Sequence, residues 1–340
     1  MSRVSIKDIA RQAGVSHSTV SRALSDSPLV SARTKERIRS LAGDLGYSPD
    51  AQARSLVSGR TLTLGVVVTT ISDPFIAEVV QGIEPTAHDH GYSVILTSSN
   101  SESEREMAAV DMLRSKRVDG VIVTSSRVGA VYLEHLEGIG APLVLINNHR
   151  EDTGPYTFSI TVDNRHGGCL ATRHLIERGH RRIAYVAGRE DHSSDAGRRE
   201  GYEQALEEAG IPHDPKLITQ GNGRSDGGER ALAALLGLQD RPTAVFCYND
   251  MTAIGLMLAA RRNELRIPGD LAVAGFDDIS FASFSSPSLT TIAQPKFEMG
   301  RQAVEMVLEL LSPSTTGAPI SNVVFQGELV VRESSGGYRN

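Results

Sequence analysis

From Thr61 onward, short unbroken runs of Val, Ile and Leu alternate with amphipathic stretches, and this alternation constrains the fold more than any other feature. "LTLGVVV", "YSVILT", "GVIVT" and "PLVLI" form a first series; "RIAYVAG", "TAVFCYND" and "DLAVAGFDD" form a second. A run apolar at successive positions buries both faces of a strand, and the helical stretches between runs supply the covers. Each series therefore predicts a parallel sheet with helices on both sides. Two series predict two doubly wound lobes. No internal repeat of solenoid length is present, and low complexity is confined to the polar tail Glu333 to Asn340.

The 340 residues, 40% hydrophobic and 22% charged, suffice for two lobes and a smaller unit. The net charge of -6 is unevenly spread: residues 1–60 carry ten Lys/Arg against five acids, or +5, and the remaining 280 carry 25 basic and 36 acidic side chains, or -11. A basic front on an acidic body points to a polyanion partner for the front alone, or else to a solvated charged face. The start "MSRVSIKDIA" has no apolar signal core and no eighteen-residue apolar run occurs, so the expected location is the cytoplasm, with no membrane partner. Cys169 and Cys247 have neither CxxC nor zinc spacing, which fits a reducing compartment and core packing.

The front resolves into caps and apolar stripes. Ser5 with Asp8 reads as a capping box, and Ile6, Ile9, Ala10 and Ala13 recur at helical spacing, so a short helix is expected over about 6–13, ended by Gly14. Ser16 caps a second helix that turns Val20 and Leu24 inward and leaves His17, Ser18 and Arg22 on another surface. Ser31 caps a third, with Ile38, Leu41, Ala42 and Leu45 as its stripe and Gly46 at its end. Two short helices around a glycine turn make a helix-turn-helix, whose second helix presents its N-terminal residues to base edges in the major groove. Arg22 has the reach for guanine O6 and N7; Ser18 or His17 can meet either base type; Ser16, Thr19, Ser21 and the helix N-termini suit phosphates.

"IKDIARQAGVSHSTVSRALSDSPLVSARTKERIRSLAGDLGYSPDAQARSLVSG" resembles, without a gap from Ile6 to Gly59, the DNA-binding head and hinge of the LacI/GalR family of bacterial transcription regulators. The resemblance implies an N-terminal all-α helix-turn-helix head on an α/β core of two doubly wound parallel-sheet lobes, like the periplasmic binding proteins. The expected organisation is a head over 1–48, a hinge over 49–60 and a two-lobed effector and dimerisation domain over 61–340. Within the latter, lobe 1 takes about 61–162 and 293–322, lobe 2 about 163–292 and 323–340. His17, Ser18 and Arg22 fall on the family's base-reading positions. The segment after Pro49 is too short to hold a helix alone; by resemblance it folds on DNA, with Ala53 and Leu56 in the minor groove and Leu56 as an apolar wedge.

Ligands of open α/β sheets bind beyond the C-terminal ends of strands. The residues just after four of the apolar runs are Asp73 and Phe75; His192, Ser194 and Arg198; Tyr248, Asn249 and Asp250; and Phe276, Asp277 and Asp278. Read alone, Asp73, Asn249, Asp250 and Asp278 serve equally as helix caps and Arg198 as an ion-pair partner. The resemblance implies that Asp73, Phe75, His192, Arg198, Asn249 and Asp277 line an effector cleft, joined by Ser194 and Tyr248. A ring face among carboxylate, amide and guanidinium groups suits a polyhydroxylated sugar, with a nucleobase or nucleoside as the alternative. It also implies a homodimer on a pseudo-palindromic operator, with Phe281 and Phe284 near the subunit interface or, alternatively, in the core. No GxxxxGK[ST] or HExxH occurs, and His166, His174 and His180 lack metal spacing and read as surface or helix-end residues. The expectation is a repressor without metal, cofactor or catalytic residues, the enzyme alternative being a sugar-acting one with an added head.

Overall fold

The structure is a computed structural model that describes residues 4–47, 59–125, 140–147, 157–189, 193–312 and 320–336. The expected roles of Ala53, Leu56 and His192 lie outside these residues. The chain divides into two compact units, Met1–Thr61 and Leu62–Asn340.

In the first unit three helices, α1 (Ile6–Ala13), α2 (His17–Leu24) and α3 (Ala32–Asp44), enclose a core in which Ile9, Val20, Ala23 and Ile38 are fully buried. Local chemistry sets each boundary. The Asp8 carboxylate accepts from the Ser5 amide at 3.0 Å, and the Ser16 and Ser31 hydroxyls accept from the Thr19 and Thr34 amides. Gly14, at φ +64°, reverses the chain after α1 in the left-handed region that side chains avoid.

The second unit opens with β1 (Thr63–Val68), α4 (Pro74–Asp89), β2 (Ser93–Ser98), α5 (Ser103–Ser115), β3 (Gly120–Thr124), β4 (Leu143–Ile146) and β5 (Thr157–Val162). These strands and β11 (Val323–Phe325) form one parallel sheet in the order β11-β5-β4-β3-β1-β2. The chain then crosses to a second lobe, with α6 (Asn164–Glu177), β6 (Ile183–Ala187), α7 (Ser193–Glu208), β7 (Ile218–Gln220), α8 (Ser225–Leu236), β8 (Ala244–Cys247), α9 (Asp250–Arg262) and β9 (Ala272–Ala274). Its parallel sheet runs β7-β6-β8-β9. After α10 (Ser280–Phe284) and β10 (Thr291–Ala293), α11 (Lys296–Leu311) returns to the first lobe, and β12 (Glu328–Val330) pairs antiparallel with β10. Val323–Phe325 pairs with β5, so this strand belongs to the first lobe's sheet, not to the second lobe where it was expected.

Helices α4 and α11 pack at backbone range: a Cβ on Gly82 would stand 2.0 Å from the Phe297 carbonyl oxygen, and one on Gly300 2.1 Å from that of Val79. Around this seam Val79, Ile83, Met299, Ala303, Val304 and Val307 fill the first lobe's core with Leu64, Val66 and Ile122. Phe281 and Phe284 are 52% and 78% exposed, so the core alternative for them is excluded. Of the surface and helix-end readings of His174, the second holds: it sits in the last turn of α6, buried, and bonds Ser335 at 2.8 Å. Cys169 and Cys247 are free and buried. Among the described residues no helix is long and apolar enough to cross a membrane.

Alanine is the better helix former by about 1 kcal/mol, yet Gly82→Ala must push two helix backbones apart. Gly82→Ala is expected to destabilise the protein by about 1–3 kcal/mol, read as a lower urea midpoint. An unchanged or raised midpoint would show that the seam yields freely.

Candidate effector cleft and DNA-reading face

The C-terminal ends of the strands in the two lobes face a common cleft of about 630 Å³, within the usual range of small-molecule sites. Asp73, Phe75, Ser194, Arg198, Tyr248, Asn249 and Asp277 all line it. The cap readings also hold for two of them: the Asp73 carboxylate accepts from the Phe75 amide at 3.0 Å, and the Asn249 side chain accepts from the Thr252 amide at 3.0 Å. Asp250 and Asp278 are not caps. Buried Asp250 accepts from the Ile279 amide at 2.9 Å and from the Thr291 hydroxyl, while Asp278 pairs with Arg332 at 2.7 Å.

Arg198 is the most constrained group in the cleft. It is 2% exposed, with its guanidinium carbon 3.7 Å from the Phe276 ring centre and 4.6 Å from that of Tyr248. Its Nε donates to Asn164 Oδ1 at 2.9 Å, one terminal nitrogen donates to the Tyr248 carbonyl at 2.6 Å, and the same nitrogen lies 3.7 Å from the Asp277 carboxylate. Asp277 in turn accepts from Gln294 Nε2 at 2.7 Å. The Tyr248 hydroxyl meets that of Ser194 at 3.0 Å, and Asn249 Nδ2 donates to the Gly223 carbonyl at 3.0 Å.

The rings are less available than the sequence suggests. Phe75, expected to offer a face, is 6% exposed and, in the first turn of α4, belongs to the first lobe's buried core with Val66 and Val68. A Cβ on Gly188 would stand 2.9 Å from the Tyr248 ring, so Gly188 and Arg198 both press on that ring. The cleft offers chiefly hydroxyl, amide, carboxylate and guanidinium groups.

Applying the strand-end rule to the remaining strands would have found the lining residues missed above: Asn100 and Ser101 after β2, Ser125 after β3, Asn147 after β4, and Asn222 and Arg224 after β7. Asn100, Ser101, Ser125 and Asn147 all take positive φ, a conformation that turns the chain at the sheet edge. Gly223 to Gly227 also spells a GxSxG pentapeptide. Its Ser225 lines the cleft at a strand-to-helix turn, but no histidine is among the described lining residues to act as its base.

On the DNA-reading face, Ser16, His17, Ser18, Ser21 and Arg22 are exposed and Thr19 is partly so. The Ser16 hydroxyl serves the cap and also meets those of Ser18 and Thr19 at 2.7 and 2.8 Å. His17, Ser18, Ser21 and Arg22 remain on the open side of α2.

A chain that carries both a helix-turn-helix reader and a ligand-sized interlobe cleft is, by class, an effector-responsive transcriptional regulator. Residues 5–50 match the family described as bacterial regulatory proteins, lacI family, and residues 172–335 match the periplasmic binding protein-like domain. Over 331 residues the chain is 35% identical to the HTH-type transcriptional repressor CytR of Escherichia coli (strain K12), covering 97% of this chain and 96% of that one. A solved lac repressor dimer bound to operator and the anti-inducer ONPF aligns with a TM-score of 0.86 at 28% identity, covering 98% of this chain and 99% of that one. The transcriptional regulator CelR in complex with cellobiose aligns with a TM-score of 0.73 at 31% identity, covering 98% and 100%. The chain belongs to the lacI family of bacterial regulatory proteins, which are DNA-binding transcriptional repressors and not enzymes.

Burial raises the Asp277 carboxyl to about 7; Arg198 and Lys296 oppose the rise and Asp73 adds to it. Burial likewise holds Asp73 above the usual carboxylate range and Asp250 well above it, the latter with a contribution from the Asp277 charge. All three carboxyls bind protons more tightly folded than unfolded. Their contribution to stability is therefore complete below the ordinary carboxylate range and is lost as pH rises; for Asp277 the loss falls at about 7. Ligand-free protein should show a higher urea midpoint near pH 5 than near pH 7.5, with the difference reduced in Asp277→Asn. An undiminished difference in the variant would place the proton uptake elsewhere.

Proposed function

We propose that the cleft binds a neutral polyhydroxylated small molecule, a mono- or disaccharide, and that its occupancy sets the affinity of the head for a pseudo-palindromic operator bound by a homodimer. The observation that carries the reading is the make-up of the cleft. Donors and acceptors come from both lobes, whereas Phe75 turns into the core and the Tyr248 ring is pressed by Arg198 and Gly188. Vicinal hydroxyls each donate and accept, so they match a wall of mixed carboxylate, amide and guanidinium groups; a nucleobase needs a free ring face. The lining acids Asp73, Glu102, Asp226 and Asp277 stand against Arg189, Arg198 and Arg224, a near balance that suits an uncharged ligand. The cellobiose bound in the CelR complex lends support.

In this reading His17, Ser18 and Arg22 meet base edges, and Ser16, Thr19 and Ser21 meet phosphates. The exposed Phe281 and Phe284 are offered to the second subunit. A coupling of about 1–3 kcal/mol between cleft and operator would alter DNA affinity roughly 5- to 150-fold.

A thermal-shift screen of the purified protein against mono- and disaccharides, nucleosides and nucleobases tests the effector class. A saccharide at about 100 times its Kd should add about 2.7 kcal/mol of stability. Arg198→Ala should abolish the shift while effector-free operator binding stays near that of the parent chain. A response to nucleobases or nucleosides alone, or a saccharide shift unchanged by Arg198→Ala, overturns the reading. Separately, Arg22→Ala should cost about 1–3 kcal/mol on operator DNA and flatten discrimination at one symmetric base position. Equal weakening on operator and random DNA would assign Arg22 to phosphate.

A further inference from the structure

Lys296 lies outside the cleft lining, yet it is only 6% exposed, a degree of burial lysine reaches only with partners. Its ammonium has three donors and three acceptors in reach: the backbone carbonyls of Asp277 and Asp278, both at 2.7 Å, and Glu78 Oε2 at 3.2 Å. These partners belong to different parts of the fold. Asp277 and Asp278 form the turn after β9 in the second lobe, Glu78 sits in α4 of the first, and Lys296 begins α11, where the chain crosses between lobes.

The turn itself is unusual. Asp277 and Asp278 are consecutive non-glycine residues at φ +121° and +51°. Such conformations persist only where the surroundings over-determine them. Two carbonyls converging on one buried ammonium supply that determination, and the conformation they fix delivers the Asp277 carboxylate to Gln294 and Arg198. On the other side, Glu78 lies one turn into the helix whose N-cap, Asp73, lines the cleft.

We propose that Lys296 is a positioning residue of the effector cleft: it holds the Asp277 turn in its cleft-facing conformation and, through Glu78, ties that turn to α4, so that displacement of one lobe's ligand-facing edge is passed to the other. The biological meaning rests on the cleft being the effector site, but the bridge itself is testable without any effector. The amides of Asp277 and Ile279 donate to the Ile292 carbonyl and to Asp250, at 2.8 and 2.9 Å, so backbone exchange reports on the turn.

The test is hydrogen exchange by mass spectrometry on the full-length, ligand-free chain carrying Lys296→Met, Lys296→Arg or Glu78→Gln. Lys296→Met should speed exchange roughly tenfold in peptides over 276–280 and also over 75–80, with the remainder of both lobes unchanged. Lys296→Arg, which keeps the charge and donors, should restore most of the protection. Glu78→Gln alters a partly exposed side chain and spares the fold, so it decides the matter even if Lys296→Met does not fold; it should speed exchange over 276–280 from the opposite lobe. Loosening of the whole second lobe, or of the turn with 75–80 unaffected, or a turn unchanged by Glu78→Gln, overturns the bridge. Failure of every saccharide to bind would leave these results standing, so the two readings fail separately.

Discussion

The cleft depends on keeping an arginine and an aspartate out of water. An isolated buried ion costs several kcal/mol even after relaxation, so burial is tolerated only where other groups replace the lost hydration. Arg198 has two aromatic rings, Asn164, the Tyr248 carbonyl and Asp277; Asp277 has Arg198 and Gln294, with Lys296 behind its turn. Asn164 opens α6 just after the first lobe crossing, and Gln294 and Lys296 lie at the return crossing. Some of the groups that stabilise the cleft's charges, Asn164, Gln294 and Lys296, thus come from the segments where the chain passes between lobes.

Much of this was legible in the sequence because it depends on local rules. Helix α1 begins after Ser5 and stops at Gly14, and α2 begins after Ser16, as their caps require. The apolar runs became strands, and those inside the sheets, such as β3 and β4, are buried at every position because they are covered on both faces, whereas edge strand β2 stays partly exposed. Strand-end reasoning singled out Asp73, Arg198, Tyr248 and Asn249, and the family resemblance was needed to bring them to the one cleft they line.

What the sequence concealed depends on contacts distant along the chain. Asp278 looked like a cap because it precedes a helix, but Arg332 claims it from 54 positions away. His174 is the helix-end histidine its position suggests, but its burial against Ser335, 161 positions on, is not written locally. Phe75 sits at a strand mouth yet faces inward, because the pitch of α4 and not its place in sequence decides its direction. Asn100, Ser125 and Asn147 carried a usable signal in their position after strands, while their positive φ is written only in the backbone.

Strand β11 and helix α11 give the fold an asymmetry in time. The first lobe's sheet is completed by Val323–Phe325 and its core by Met299, Val304 and Val307, all of which follow the second lobe's four-stranded sheet in the chain. The head draws its core wholly from residues between Ile6 and Tyr47. On a ribosome adding about 5–20 residues per second, the head has everything it needs on the order of tens of seconds before the first lobe can close its sheet. During translation the nascent chain therefore passes through an interval in which a DNA reader already exists while the body that governs it is still incomplete.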